Sequence, residues 1–164
     1  KYEKFSKSLR GLQSKKLHQD DIVVDVGNAQ ALVIGMGRVG VGAYDEIKAT
    51  YDDLVVGIEH NPKRVRALMD SGRKVLCSDA DDFDFWLNLK NKKNLEIIIL
   101  AMPEHQSNLA AAQQINHIEL TCKVSAVVRF EEEEKELSKF GVTVFNIYSE
   151  AGAGLVKHSL RDNN

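Results

Sequence analysis

Three glycines lie in one short stretch that joins an apolar run to a helix-like segment. In ALVIGMGRVGVGAYDEI, residues 31–47, they occupy positions 35, 37 and 40. Gly35 allows a tight turn, Gly37 lets the backbone approach a phosphate, and Gly40 lets the helix lie close to the strand. The N–H groups of such a turn and the positive end of the helix dipole bind phosphate. The stretch therefore predicts a nucleotide-binding turn.

Carboxylates follow the next two apolar runs. Glu59 comes directly after LVVGI, and a carboxylate at the end of the second strand accepts hydrogen bonds from both ribose hydroxyls. It would repel a 2′-phosphate, so NADP is disfavoured. The alternative is a surface glutamate at a strand end. Asp79, after the third apolar run, either holds an adenine amino group or caps the following helix.

Residue types that catalyse reactions are present, but their spacing does not indicate a catalytic site. The five histidines lack metal-ligand spacing, the serines lack a nucleophile elbow, and no histidine and carboxylate pair where a dehydrogenase holds its acid–base couple. Arg38 would face a phosphate, whereas Arg129 either lines the site or is a solvated surface residue. Cys77 and Cys122 are interpreted as small, buried strand residues. We therefore expect no enzyme and no metal site.

Apolar runs and helical patterns alternate from residue 31 onward, which would bring these residues to one edge of a sheet. The predicted strands are 31–34, 54–58, 74–77, 96–101, a strand within 118–128, and 142–147. The predicted helices are 39–50, 62–71, 83–89, 104–115, 130–140 and 151–161. Continuous apolar strands indicate parallel strands covered on both faces, joined by crossover helices. We expect an α/β fold, a Rossmann-like doubly wound parallel sheet of six strands in order 3-2-1-4-5-6.

Charge is unevenly distributed along the 164 residues. Residues 1–19 contain six lysines and arginines against one glutamate, although the net charge of the chain is −2. We divide the chain into a basic N-terminal linker or helix, 1–28, and a Rossmann domain, 29–164. The basic segment either packs on the domain or runs beneath an anionic membrane surface. The net charge does not favour a general nucleic-acid binder, and the longest apolar run, IIILAM, is too short to span a bilayer.

Four stretches resemble the N-terminal domain of regulators of potassium conductance (RCK N), also called the Trk-type NAD-binding domain. They are VIGMGRVG (33–40), VVGIEHNPKRVRALMDSGRKVLCSDADD (55–82), AMPEHQSNLAAA (101–112) and FGVTVFNIYSEAGAGLVKHSL (140–160). The resemblance covers about residues 29–160 and is closest to the cytosolic domain of Kef-type glutathione-gated potassium/proton antiporters. The second stretch is the most specific, since ordinary dehydrogenases lack its order of acidic residue, short helix, glycine, strand and small-Asp-Ala.

The resemblance implies a regulatory ligand that is NAD(H) or an adenine nucleotide such as AMP, ADP or ATP. The residues expected at the nucleotide are Gly35, Met36, Gly37, Arg38, Val39, Gly40, Glu59, Asn61, Ser78, Asp79, Ala80, Met102 and Arg129. Arg129 falls near the place where Kef proteins keep a basic residue for glutathione. Ser78 departs from the glycine that the family usually has, and the last stretch matches loosely, which bears more on glutathione control than on nucleotide binding.

The resemblance also implies partners and a location. The expected partners are a second copy of the domain and a membrane transporter domain, N-terminal to this segment in the same polypeptide, with the domain on the cytoplasmic side of the inner cell membrane. The small and apolar residues of 151–160 suit close pairing of two copies, or they cover the chain's own sheet. The rival functions are an NAD-dependent oxidoreductase fragment without its substrate domain and a redox-sensing transcription factor, for which no DNA-reading element is found.

Overall fold

The computed structural model of the chain describes residues 24–161. The basic segment predicted over 1–28 therefore lies outside the described residues up to position 23. Across the described part of the chain, none of the helices combines the length and apolarity needed to cross a bilayer.

Six strands alternate with six helices along the described chain. The strands are β1 (Ala31–Ile34), β2 (Val55–Glu59), β3 (Val75–Cys77), β4 (Ile97–Leu100), β5 (Lys123–Val128) and β6 (Thr143–Asn146). The helices are α1 (Arg38–Tyr51), α2 (Pro62–Asp70), α3 (Phe83–Leu89), α4 (His105–His117), α5 (Glu131–Ser138) and α6 (Ile147–Ser159). A short 3-10 turn, Asp52–Leu54, joins α1 to β2.

The strands form one parallel sheet in the order β3-β2-β1-β4-β5-β6. Every neighbouring pair is parallel, and β1 pairs with both β2 and β4. The predicted fold and strand order are thereby confirmed. Because the chain leaves β1 in one direction and resumes at β4 in the other, the connections after these two strands diverge and leave a crevice at their carboxyl ends.

The sheet is covered on both faces, which explains its continuous apolar strands. Alternate residues of β1 point to opposite faces, so Leu32 belongs to one core cluster and Val33 to the other. The larger core contains residues of α3, α4 and α5, including Trp86, the only tryptophan of the chain. The smaller core contains Tyr44 of α1 and Val65 of α2. Helices on both faces thus hold the crevice edge rigidly.

The final helix begins earlier than predicted, and it is exposed. It begins at Ile147 rather than near residue 151, because Asn146 Oδ1 accepts hydrogen bonds from the N–H groups of Tyr148 and Ser149 and caps the helix there. None of its residues is buried. The alternative that α6 buries an apolar face on the chain's own sheet is therefore wrong, since Leu155 is 68% exposed and Leu160, just past the helix, is 75% exposed.

The two cysteines also depart from the interpretation as buried strand residues. Cys77 ends β3 but is exposed, and Cys122 is half-buried and precedes β5. Both are free thiols. Burial raises the pKa of the Cys122 thiol to about 11.

Candidate functional site

The glycine turn between β1 and α1 uses its three glycines for three different reasons. Gly35 has a φ of +89°, and a Cβ there would lie 2.8 Å from the backbone nitrogen of Met102. A Cβ on Gly40 would lie 1.8 Å from the carbonyl oxygen of Gly35. Gly37, the N-terminal cap of α1, has a negative φ, and a Cβ there would meet nothing within 4 Å. The fold therefore requires glycine at positions 35 and 40. At position 37 the missing side chain only leaves open space in front of α1.

A cleft follows the carboxyl ends of the strands and consists of two adjoining pockets. The β2-side pocket has a volume of about 330 Å³, and its residues include Gly35, Gly37, Glu59, Arg64, Ser78, Asp79, Ala80 and Met102. The β5-side pocket has a volume of about 470 Å³, and its residues include Gly37, Arg38, Val39, Arg64, Met102, His105, Arg129 and Glu133. The two pockets share Gly37, Arg64, Met102 and Pro103. One elongated ligand can therefore occupy both.

Three residues predicted at the nucleotide do not line the cleft, and for one of them, Met36, the prediction is wrong. The side chain of Met36 is buried and packs in the smaller core, where its Sδ would lie 2.6 Å from a Cβ on Gly57. Met36 is thus a core residue, because the chain turns its side chain beneath β2. Gly40 is buried against the turn. Asn61 lies beside the cleft as the cap of α2 and accepts from the N–H groups of Lys63 and Arg64.

Glu59 presents a buried carboxylate at the end of β2. Its side chain is only 3% exposed. The Oε1 atom accepts a hydrogen bond from the backbone N–H of Asn61 at 3.0 Å and lies 3.3 Å from His60 Nδ1, whereas Oε2 lies 3.5 Å from Arg64 Nη1. Because Oε2 has this one long contact, it keeps capacity to accept hydrogen bonds from a ligand hydroxyl. The alternative of a surface glutamate does not describe this residue.

The loop after β3 forms the outer wall of the β2-side pocket. Asp79 Oδ1 accepts from the N–H of Asp81 at 2.9 Å, and the cap of α3 is Asp82, not Asp79. The helix-cap alternative for Asp79 is therefore wrong. The carbonyl oxygen of Ala80 accepts a hydrogen bond from the buried indole N–H of Trp86 at 2.7 Å, which ties the loop to the larger core. Ser78 lines the same pocket.

Asn108 is a residue that the sequence analysis missed. It is 1% exposed, its Oδ1 accepts from the backbone N–H of Met102 at 3.1 Å, and its Nδ2 donates to the carbonyl oxygen of Met102 at 3.0 Å. This pair of bonds fixes the peptide of Met102 against Gly35, at the boundary of the two pockets. A buried asparagine that satisfies a strand-end peptide in this way is a positioning residue.

Cations converge on the β5-side pocket. Arg129 Nη2 donates to the carbonyl oxygen of Pro103 at 2.7 Å, so this side chain crosses from the end of β5 to the end of β4. Glu133 Oε2 accepts from the backbone N–H of Arg129 at 2.7 Å. The side chain of Arg38 forms no hydrogen bond or ion pair with the described residues, and Arg38 lines this pocket. Arg129 thus lines the cleft, although its side chain is also solvent-exposed.

The structure also contains a histidine–carboxylate pair beside the cleft, contrary to the sequence analysis. His105 Nε2 lies 2.6 Å from Glu136 Oε2, linking α4 to α5, and His105 lines the β5-side pocket. Its Nδ1 is buried and has no hydrogen-bond partner among the described residues. Nε2 is therefore engaged by Glu136, and Nδ1 is closed to solvent. Within residues 24–161, no group of three or more potential metal ligands occurs.

The fold and the glycine turn define a doubly wound domain of the dinucleotide-binding type. The sequence profile of the TrkA-N domain matches residues 31–147, and the chain belongs to that family. The resemblance of the sequence to the Trk-type NAD-binding domain is thereby confirmed. No curated protein matches the chain.

Several solved structures share this architecture. The NAD(P)-binding domain of an exopolyphosphatase-related protein from Archaeoglobus fulgidus has a TM-score of 0.71 at 17% identity, over 79% of this chain and 96% of that chain. The TrkA-N domain of inner membrane protein ybaL from Escherichia coli has a TM-score of 0.69 at 21% identity, over 82% and 98%. The GsuK channel bound to NAD gives 0.60 at 17% identity, over 74% and 22%, and GsuK bound to ADP gives 0.62 at 16%, over 82% and 35%. At such identities the likeness establishes the fold alone.

Proposed function

We propose that this chain is a non-catalytic regulatory domain that binds NAD(H) or an adenine nucleotide and controls a potassium or other cation transport system. The observation that carries the proposal is the pairing of an open glycine turn with the buried carboxylate of Glu59 across one pocket. The turn offers N–H groups to phosphate, and Glu59 Oε2 offers an acceptor to ribose hydroxyls. AMP is the leading candidate if the ligand is a mononucleotide.

The comparisons support the class of ligand and the setting. GsuK is a channel that binds NAD and ADP, and ybaL is an inner membrane protein whose TrkA-N domain shares the fold. By analogy, the partner of this domain would be a membrane transporter, and the domain would act on the cytoplasmic side of the membrane. A Kef-type efflux antiporter is the finer form of the proposal, and the resemblance of the four sequence stretches supports it.

The rival function is an oxidoreductase that lacks its substrate domain. Such an enzyme needs a group that exchanges a proton with the substrate beside the nicotinamide. His105 has the right residue type, but one ring nitrogen faces Glu136 and the other is buried. This geometry favours a role in which the nucleotide is bound and not turned over.

A second copy is the proposed partner of α6. A ligand shifts an equilibrium between two arrangements only when it binds them with different affinity, and a pair of domains supplies such arrangements. The apolar residues of α6 are exposed in the single chain, and two-fold pairing is the commonest form of association. Light scattering over a dilution series tests this. Leu155→Glu should dissociate the dimer, whereas Leu87→Glu on α3, also an exposed leucine, should not.

Titration calorimetry tests the binding proposal directly. AMP, ADP and NADH should bind, and NADPH should bind much more weakly because its 2′-phosphate would meet Glu59. Glu59→Gln should narrow the difference in affinity between NADH and NADPH. Glu46→Gln, which changes an exposed residue on α1 outside both pockets, should leave that difference unchanged. Equal affinity for NADH and NADPH in the unaltered chain would refute the role of Glu59. Steady oxidation of alcohols or hydroxy acids by the NAD-loaded chain would refute the non-catalytic role.

A further inference from the structure

The two pockets of the cleft are lined by side chains of opposite charge. The charged residues of the β2-side pocket are Glu59, Asp79, Asp81, Glu104 and Arg64, with His60 beside them. Those of the β5-side pocket are Arg38, Arg64, Arg129 and Glu133, with His105 beside them. Carboxylates therefore dominate the first pocket and guanidinium groups dominate the second.

The arginines of the β5-side pocket keep donors for a ligand. The side chain of Arg38 has no partner among the described residues, and within them the side chain of Arg129 donates one hydrogen bond, from Nη2 to the carbonyl oxygen of Pro103. Each guanidinium carries five N–H donors, so most of those on Arg38 and Arg129 are unused by the described protein groups. Glu133 is the one carboxylate among the lining residues, so the three arginines of this pocket outnumber it.

We propose that this separation of charge selects nucleotides by the charge that they carry beyond the first phosphate. The inference rests on the proposed function, in which the cleft binds an adenine nucleotide. Adenosine offers amino and hydroxyl donors that suit the carboxylates of the β2-side pocket. The first phosphate lies at the glycine turn, and the next group enters the β5-side pocket. A β-phosphate, or the second phosphate of NAD(H), is attracted there, whereas the cationic ring that NAD⁺ carries beyond its second phosphate is repelled relative to the uncharged ring of NADH.

Arg129 is the specificity-determining residue of this arrangement, together with Arg38. Hydrogen bonds between guanidinium and phosphate are charge-assisted and about twice as strong as neutral ones. Both side chains are exposed, so water and salt weaken the attraction. We therefore expect differences of about tenfold between ligands, which corresponds to about 1.4 kcal/mol at 25 °C.

Calorimetry on the whole chain with adenosine, AMP, ADP, ATP, NADH and NAD⁺ tests the proposal. ADP and ATP should bind about tenfold more tightly than AMP, and NADH several-fold more tightly than NAD⁺, with both differences shrinking as salt is raised. Arg129→Gln should weaken ADP about tenfold and AMP less than about threefold. Arg38→Gln should act in the same direction. Arg66→Gln removes one charge from α2 outside both pockets and should change neither ligand.

The possible outcomes separate this inference from the function on which it rests. If AMP and ADP bind equally and Arg129→Gln affects them alike, charge selection is refuted while nucleotide binding stands. If no nucleotide binds, both proposals fail. If inorganic phosphate lets AMP bind as tightly as ADP, the β5-side pocket takes a separate anion, and selection through an attached group is refuted.

Discussion

Gly37 allows the binding role of the glycine turn to be tested apart from its structural role. The substitution Gly37→Val places a branched side chain at the entrance of both pockets, where its Cβ meets no protein atom within 4 Å. Its backbone lies in the extended region, at φ −76° and ψ −161°, which valine adopts readily. The structural cost is therefore limited to a poorer helix cap, about 1 kcal/mol or less. In a chain of this size, that lowers the Tm by about 2–4 °C.

The expected effect on binding is much larger. A valine side chain at this position would occupy the space through which a phosphate reaches the backbone N–H groups of the turn. Loss of one or two charge-assisted hydrogen bonds, each contributing about 1.5–3 kcal/mol, weakens binding by about a hundredfold or more. Gly40→Ala is the contrasting variant, because its Cβ would lie 1.8 Å from the carbonyl oxygen of Gly35 and so must disrupt the fold itself.

Thermal unfolding and calorimetry with ADP, performed on both variants, separate the binding role of Gly37 from the structural role of Gly40. Gly37→Val should retain the Tm within a few degrees and lose ADP binding, whereas Gly40→Ala should unfold at a much lower temperature. If Gly37→Val folds and binds ADP with unchanged affinity, the turn does not contact phosphate, and the assignment of the cleft is refuted.

Three further predictions concern stability and reactivity. Asn108→Ala should destabilise the chain by about 1–3 kcal/mol in urea unfolding, because it leaves the partly buried N–H and C=O groups of Met102 without their partner; unchanged stability would contradict the role of these two hydrogen bonds. Asp45→Asn should reduce stability slightly above about pH 4 and progressively less as the pH falls below 3.8, because the hydrogen bond from Arg73 lowers the pKa of Asp45 below its usual 3.8 and its benefit is lost on acidification. Iodoacetamide should alkylate exposed Cys77 well before Cys122, whose thiol pKa is about 11, as peptide mass analysis would reveal.

The order of the sheet follows from the sequence because its signals are local. Each strand is a short apolar run, and each helix shows apolar residues at helical spacing. Because crossover connections are right-handed, few strand orders remain. The start of α6 was harder to predict. Asn146 follows an apolar run that reads as strand to residue 147, and only its side-chain bonds to the next turn show that the helix begins there.

The positions of Gly37 in the glycine turn and of Glu59 at the end of β2 were predictable, because both follow directly from apolar runs that form strands. The role of a residue was not predictable where its side chain could serve equally well in the core, in the cleft or on the surface. A methionine in the turn is compatible with a position in the cleft or in the core. Only the structure shows that the side chain of Met36 lies in the smaller core beneath β2. Asn108 reaches Met102 only because α4 folds back on the strand end. His105 and Glu136 meet across two helices, a contact that one sequence does not reveal.

The hydrogen bond between Trp86 and Ala80 gives the protein an intrinsic optical probe. Its only indole is fully buried and donates to the loop that forms the outer wall of the β2-side pocket. Tryptophan emission depends on the polarity and hydrogen bonding of the ring. A ligand that draws the Ala80 peptide toward itself would therefore alter the fluorescence of Trp86 without touching it, so stopped-flow mixing of the unlabelled chain can time the arrival of a nucleotide.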